Sequence, residues 1–433
     1  MKGNNRFKKS FVSKEIYSVR NFTGFAFFMF AVFLPLHTGI SNFLLIISLA
    51  LVLLQILRSK KKVKFAKRWK ILLFTLLPFF FLHLIGLSYS EKPIQGLSYI
   101  ERSLSFLLVP FILLFATKSN IYFFRSVVLR GLIFGSAISL TILLAINLYN
   151  YFMVQKSFHI GIDLFDYYHT YLKFTQPLDQ HPTYLGIYYL TAIIFINEFL
   201  RIKSLKYLIL VLFGFGFLFL NSRIISGLLF VWFLFYLVRL INLVYLKKNY
   251  SKLILIFVVL IVGSIATVRV MSKSYIGSRI KNIYKFELSS DTKVNFNSHS
   301  ESNPRMARYI SSYKLIKEKP IYGHGTTGEK INLKNQFILD GLTLAAEQNY
   351  NSHNQYLGFT IRYGLIGLFV LLFFFCCNFY LAWSSKNRKY LFFIFMIASV
   401  CFFENYFDRN FGITFAAVFF TLFSYNVLLK DAD

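Results

Sequence analysis

The side chains best suited to chemistry are arginines and histidines at the ends of long apolar runs. Asn221-Ser222-Arg223 is a polar triplet between two such runs with almost no loop, which fixes Arg223 at a helix boundary. A guanidinium there can hold a phosphate through two parallel hydrogen bonds. The alternative is an arginine that extends to lipid headgroups, and the sequence alone weights the two equally.

A second pair of arginines, Arg305 and Arg308, lies in the segment 303–319. This segment has apolar residues three and four positions apart, namely Met306, Tyr309, Ile310, Tyr313 and Ile316. The spacing predicts an amphipathic helix near the membrane surface that ends at Pro320 and Gly323. Either arginine is a candidate for an anionic ligand, but arginine is common on solvated helix faces, and a structural role is favoured.

His353 and Asn354 stand in the polar stretch 350–355, which leads directly into an apolar run. Histidine is the side chain best suited to proton transfer near neutral pH. His353 is therefore a candidate general base, with Asn354 in support. The alternative is a hydrogen-bonded polar residue at a membrane boundary.

Two further polar segments also mark helix boundaries. His181 precedes one apolar run, and Glu404 and Arg409 lie between the last two runs. Both segments are candidates for the lining of one cavity. Helix capping and an ion pair explain them equally well, and we favour those roles.

Transmembrane helices are the elements that must position these residues. The chain has 433 residues, of which 56% are hydrophobic and 20% aromatic, and a mean hydropathy of +0.55, which exceeds that of soluble domains. Crossing about 30 Å of hydrocarbon takes about 20 apolar residues. About twelve such runs occur, at 23–38, 40–57, 71–88, 98–117, 131–152, 184–200, 207–220, 224–246, 253–268, 356–383, 390–406 and 411–429.

The distribution of charge predicts the topology. The net charge is +30, and many of the 48 lysines and arginines lie in basic segments beside every second helix, at 2–20, 58–70, 118–130, 201–206, 247–252 and 386–389. Basic residues concentrate in cytoplasmic loops, so both termini are expected inside and no nucleic-acid partner is indicated. The whole chain, 1–433, reads as one membrane domain that contains a large outer loop at 269–355.

No metal or disulfide site is expected from the sequence. The three cysteines, Cys376, Cys377 and Cys401, all lie inside apolar runs without metal-ligand spacing. The outward segments contain no Asp-x-Asp pair and no other carboxylate cluster suited to a divalent ion. We therefore predict no cofactor.

Three short motifs, in order, resemble the O-antigen ligase and polymerase superfamily over roughly residues 170–425. They are Ser222-Arg223 after a helix; a loop helix that begins at Arg305 and is followed by Pro-x-x-Gly-x-Gly at 320–325; and His-Asn-x-Tyr-Leu at 353–357 with Tyr-Gly-Leu-Ile-Gly at 363–367. One departure is Tyr309, where the family usually has tryptophan.

The resemblance implies an all-α polytopic bundle of GT-C-like architecture in the bacterial inner membrane, with the large loop in the periplasm. It also implies a metal-independent glycosyltransferase that uses a glycan linked to undecaprenyl diphosphate as donor. We expect a lipid A-core sugar as the acceptor, and attack opposite the leaving group would invert the anomeric carbon. Arg223 and Arg305 would hold the departing diphosphate, and His353 would deprotonate the acceptor hydroxyl. Arg308, His181, Asn354, Glu404 and Arg409 are possible supporting residues.

Several other functions compete with this interpretation. An O-antigen or capsule polymerase and a protein O-oligosaccharyltransferase belong to the same superfamily. A flippase for polyprenyl-linked sugars is expected to have charges at the membrane midplane and an internal repeat. No internal repeat is visible in the sequence, which argues against a flippase. A purely structural scaffold gives no reason for cations and a histidine to gather on one side of the membrane, so an enzyme is favoured.

Overall fold

The described part of the protein is helical and contains no strand. A computed structural model describes residues 4–59, 68–155, 162–246, 250–251 and 304–429. Seven helices in this part are long and apolar enough to cross a membrane: Thr38–Arg58, Pro93–Leu114, Lys118–Val154, Lys203–Leu220, Arg223–Asn242, Gln355–Ser384 and Asn410–Leu428. The described part of the chain is therefore all-helical, and the protein is a multi-pass membrane protein. The count of about twelve spans and the periplasmic position of the loop stay predictions.

The helices before the large loop are, in chain order, α1 (Asn4–Phe33), α2 (Thr38–Arg58), α3 (Leu77–Leu87), α4 (Pro93–Leu114), α5 (Lys118–Tyr149), α6 (Leu172–Thr175), α7 (Pro182–Phe199), α8 (Lys203–Leu220) and α9 (Arg223–Leu246). Short 3₁₀ turns cover Trp69–Phe74, Ile162–Phe165 and Gln176–Leu178, and a π turn over Asn150–Val154 extends α5. The predicted span at 253–268, the basic segment at 60–67 and the first part of the loop, 269–303, lie outside the described residues.

The later helices are α10 (Arg305–Glu318), α11 (Gly328–Leu339), α12 (Thr343–Glu347), α13 (Gln355–Ser384), α14 (Arg388–Val400) and α15 (Asn410–Leu428), with a 3₁₀ turn at Tyr406–Asp408. The structure confirms the predicted loop helix as α10. The sequence patterns did not predict α11 and α12, which lie within the same loop.

Two compact units make up the chain. The first contains the described residues up to 136, the end of α7 at 194–199, and residues 304–429. The second contains residues 137–193 and the described residues from 200 to 251. His353, Arg305, Arg308, Glu404 and Arg409 belong to the first unit, whereas Arg223 and His181 belong to the second.

Two predicted spans are interrupted. The predicted span at 71–88 is a 3₁₀ turn followed by α3, with Pro78 in the first turn of that helix. Proline is tolerated at that position because the first helical N–H groups have no intrahelical partner. The predicted continuous helix at 356–383 is broken at Gly364, where φ is 63° and ψ is −156°.

The loop helices have an apolar core of their own. Residues of α10, α11 and α12 pack around Ile361 of α13, which is fully buried. The other buried members are Ala307, Leu315, Leu333, Phe337, Leu342, Ala345 and Ala346. Burial of these side chains fixes α10 and α11 against the first turns of α13, the region that leads out of the candidate site.

Candidate active site

The polar stretch before α13 is shaped by its own side chains. Asn354 is the N-cap of α13, and its Oδ1 accepts hydrogen bonds from the N–H groups of Tyr356 and Leu357 at 3.0 and 3.1 Å. Asn351 Oδ1 accepts from the His353 N–H at 3.0 Å. His353 adopts a left-handed conformation with φ of 48°. Asparagine suits both roles because its short side chain readily bonds to nearby backbone N–H groups.

His353 lies beside a buried carboxylate. Its Nδ1 is 3.6 Å from Oε2 of Glu404, slightly beyond hydrogen-bonding distance, and its side chain is 22% exposed whereas that of Glu404 is 8% exposed. The Tyr350 ring meets the imidazole edge-on, with centroids 5.7 Å apart. Because Nδ1 lies beside Glu404, Nε2 is the candidate nitrogen for proton transfer.

The two loop arginines lie close enough to act on His353 electrostatically. Arg308 is buried, and its guanidinium carbon is 5.3 Å from the centre of the Tyr350 ring. Arg305, the first residue of α10, is half-buried and lies over the Phe403 ring at 5.8 Å. The structure thus brings together four predicted residues, His353, Glu404, Arg305 and Arg308.

The surroundings of His353 favour its neutral form. Burial lowers the pKa of His353, Glu404 raises it, and Arg308 and Arg305 lower it further, so that the net pKa is below the ordinary value of 6.5. Burial acts in this direction because the charged imidazolium loses more solvation than the neutral ring. At neutral pH the imidazole is therefore able to accept a proton.

A buried ion cluster lies close to the segment that carries His353. Arg362 is fully buried, and its Nη2 donates to both carboxylate oxygens of Asp408 at 2.8 and 2.7 Å. The same nitrogen is 3.2 Å from Oε2 of Glu329. Burial raises the pKa of Asp408, but the charge and hydrogen bonds of Arg362 outweigh this effect and hold the pKa of this carboxyl below its usual range. One guanidinium thus pairs with two buried carboxylates.

The cluster is connected directly to the histidine segment. Glu329 Oε1 accepts hydrogen bonds from the Ser352 N–H at 3.1 Å, from Ser352 Oγ at 2.7 Å and from Asn405 Nδ2 at 2.7 Å. Asn405 Oδ1 accepts from the Asn354 N–H at 2.8 Å. The residues on both sides of His353 are therefore tied to the turn that carries Glu404.

The break in α13 explains why two of the predicted motifs occur together. At Gly364 the helix releases the carbonyl groups of Ile361 and Arg362, which accept from the N–H groups of His324 and Gly325 at 2.9 and 2.8 Å. A Cβ at position 364 would lie 2.1 Å from the Ile321 carbonyl oxygen. The Pro320–Gly325 turn therefore packs directly on the helix break, and only glycine fits at this contact.

The second unit places Arg223 and His181 at a helix junction. Asn221, with φ of 44°, ends α8, and Arg223 is the exposed first residue of α9. His181 is half-buried, and its Nδ1 accepts from the Thr183 N–H at 3.3 Å. Thr183 Oγ1 lies 3.3 Å from Ser222 Oγ. The two predicted residues thus belong to neighbouring turns of the same unit.

The remaining predicted residues have structural roles in the described contacts. Asn354 is a helix cap, and Arg409 is exposed and precedes α15, where its carbonyl accepts from the N–H groups of Gly412 and Ile413. Glu404, for which an ion pair was one predicted role, lies next to His353.

The sequence analysis missed Arg362, Glu329 and Asp408. Arg362 could have been found, because an arginine within an otherwise apolar helix costs free energy unless it is paired, and it therefore indicates a buried partner. Glu329 and Asp408 have no local pattern that would identify them. Both carboxylates pair with Arg362. Among the described residues no group of three potential metal ligands occurs.

Part of the chain is similar to a known protein family. The family model described as O-antigen ligase matches residues 208–372, which include Arg223, Arg305 and His353. No curated protein matches the chain. The match supports the resemblance to the O-antigen ligase and polymerase superfamily. Members of the matched family are glycosyltransferase-like enzymes.

Proposed function

We propose that this protein is an O-antigen ligase that moves a glycan from undecaprenyl diphosphate to a sugar of a lipid A-core acceptor at the periplasmic face of the inner membrane. The observation that supports the proposal best is a half-buried histidine beside Glu404, 3.6 Å away, close to two arginines. The histidine and both arginines fall inside the segment that matches the ligase family.

His353 is the proposed general base. The acceptor hydroxyl oxygen attacks the anomeric carbon of the donor while its proton passes to His353 Nε2, and the bond from that carbon to the diphosphate oxygen breaks. Glu404 stabilises the imidazolium that forms. General-base assistance of this kind is worth roughly 10²- to 10⁴-fold in rate. Attack opposite the leaving group inverts the anomeric centre, and the linkage of the product checks this.

Arg305 is a proposed ligand of the departing diphosphate. Its position at the N-terminus of α10 adds the positive end of the helix dipole to the guanidinium charge. Arg223 occupies the same position at the start of α9 in the second unit and is proposed for the same task. Guanidinium groups can bind phosphate oxygens bidentately and stabilise their charge as the bond breaks.

The proposed reaction needs no metal ion, because the diphosphate is already a good leaving group and cationic side chains are proposed to stabilise it. The buried carboxylates Glu329 and Asp408 are paired with Arg362. Transfer by the purified protein should be unchanged by a strong chelator. Loss of transfer with chelator and recovery with Mg²⁺ would contradict this part of the proposal.

Surface-polysaccharide analysis tests the acceptor. Cells that lack the protein are complemented with the native chain, with His353→Ala, or with the control His37→Asn, which keeps a capping side chain at the start of α2. A ligase predicts that His353→Ala abolishes laddered lipopolysaccharide while polymerised lipid-linked glycan accumulates. Single-repeat glycan on the core would indicate a polymerase instead, and loss of glycoproteins would indicate a protein-directed transferase.

We also propose that both termini are cytoplasmic. The basic segments between alternate helices support this orientation, for example Arg201 to Lys206 between α7 and α8. Reporter domains fused to each terminus should respond as cytoplasmic domains, and a periplasmic signal from either terminus would contradict the topology.

A further inference from the structure

The loop helix α10 has an unusual distribution of polarity. The face that packs on the protein carries Arg308, Ser311 and Ser312, all buried, together with Ala307 and Leu315. In a helix that faced water, the apolar residues would be turned toward the protein and the polar ones away from it. Here the packed face is in large part polar.

The outward face of α10 is apolar. Met306, Ile310 and Tyr313 are spaced four and three residues apart, so they lie on one side of the helix, and they are 36%, 41% and 57% exposed. Ile321 and Tyr322, just beyond the helix, are 55% and 66% exposed. Large apolar side chains that cluster at a surface indicate contact with an apolar partner.

This apolar face continues into the surfaces of the neighbouring membrane helices. Near the start of α10, Tyr309 Oη donates to the carbonyl of Phe402 at 3.2 Å, and Phe402 and Phe403, which follow α14, are exposed. At the other end, the N–H of Leu365 donates to the Pro320 carbonyl at 2.8 Å, and Leu365 is exposed on α13. The stretch of α13 after its break is long enough to cross a bilayer.

The charges of α10 suit a lipid surface. Lys317 lies on the same face as Tyr313, with its Nζ 4.7 Å from the centre of that ring, and Lys319 is exposed nearby. Lys314 is instead paired with Asp340, at 2.6 Å. Lysine side chains at an interface keep their methylene groups in the apolar layer and extend their ammonium groups to lipid phosphates. An apolar stripe with lysines alongside is typical of helices that lie in the membrane surface.

We propose that the face of α10 formed by Met306, Ile310 and Tyr313 rests in the lipid bilayer that surrounds α13 and α14. The helix then lies along the membrane surface, with its apolar side in lipid and its polar side toward His353. The lipid, and not a water layer, covers this side of the loop.

Site-directed spin labelling of the full-length protein in vesicles tests the proposal. Vesicles contain phosphatidylethanolamine and phosphatidylglycerol. The background carries Cys376→Ala and Cys377→Ala and keeps Cys401, which is buried. A nitroxide is attached at Ile310→Cys or, as a second variant, at Tyr313→Cys. The matched control is Lys334→Cys, at an exposed polar position of α11.

The measured quantity is the ratio of collision rates with oxygen, which concentrates in lipid, and with a water-soluble nickel chelate. The ratio of oxygen to nickel collision rates should be at least several-fold higher for labels at positions 310 and 313 than for the label at position 334. A nickel-dominated ratio at both positions would show a water-exposed face and overturn the proposal. Low collision with both reagents would show that protein, such as residues 269–303 of this chain, covers the face, and would also overturn it.

Discussion

Removal of the buried cation Arg362 should have a large effect on stability. In Arg362→Met, a side chain of similar length leaves the carboxylates of Asp408 and Glu329 without the guanidinium that now lies 2.7 and 3.2 Å away. The side chain of Arg362 is fully buried, with an exposed fraction of 0%. Breaking a buried ion pair by removing one partner costs about 3–5 kcal/mol, and we expect a loss in that range for the free energy of unfolding.

Neutralising the two carboxylates should reverse most of this loss. Replacing a buried ion cluster with apolar groups of similar volume is often close to neutral in stability, and amides in place of the two acids likewise remove the unpaired buried charge. The triple variant Arg362→Met, Glu329→Gln, Asp408→Asn keeps the shapes of both acid side chains. It should therefore recover at least roughly half of the stability lost in Arg362→Met.

The assay is unfolding of purified protein by a denaturing detergent, followed by tryptophan fluorescence. Arg388→Met is the matched control, because Arg388 is exposed at the start of α14, and it should change stability by no more than about 0.5 kcal/mol. Equal stability of Arg362→Met and Arg388→Met would refute the reasoning. A triple variant less stable than Arg362→Met would show that the loss does not arise from unpaired buried charge.

Two other predictions concern the reaction and the helix break. The transfer rate should decrease as the pH is lowered, with the midpoint of the decrease below pH 6.5, since the pKa of His353 is lowered. Glu404→Gln should move that midpoint to lower pH, and Arg308→Gln should move it to higher pH. If the pH–rate profiles of the two variants lack these opposite shifts, His353 is not the base. Gly364→Ala places a Cβ where φ is +63° and backbone is 2.1 Å away, so it should destabilise the protein by more than about 1 kcal/mol, measured in the same detergent titration; an unchanged midpoint would contradict the role of the break.

The sequence predicted the elements more fully than their arrangement. The spans and α10 follow from apolar runs and helical spacing, which are local properties of the chain. The helix break at Gly364 was not predicted, because a glycine inside an apolar run is also tolerated in continuous membrane helices. The break requires the contact with the Pro320–Gly325 turn, which only the folded chain creates.

The candidate site was predicted in part for the same reason. His353, Arg305 and Arg308 were identified from their residue types and positions, and the structure places them together. Their support by Glu329 was not predicted, because its hydrogen bonds to Ser352 and Asn405 join segments that are distant in sequence. The burial of Arg308, Ser311 and Ser312 on the packed face of α10 was also not predicted, since arginine is common on solvated helix faces.

The role of His353 as the general base is tested most directly by transfer measured with purified protein in vesicles, a defined lipid-linked glycan donor and a lipid A-core acceptor. His353→Ala, at unchanged donor KM and with a folded protein, should lower kcat roughly 10²- to 10⁴-fold, whereas His37→Asn should retain the native rate. A folded His353→Ala protein that transfers glycan at a rate close to that of the native protein would contradict the central claim.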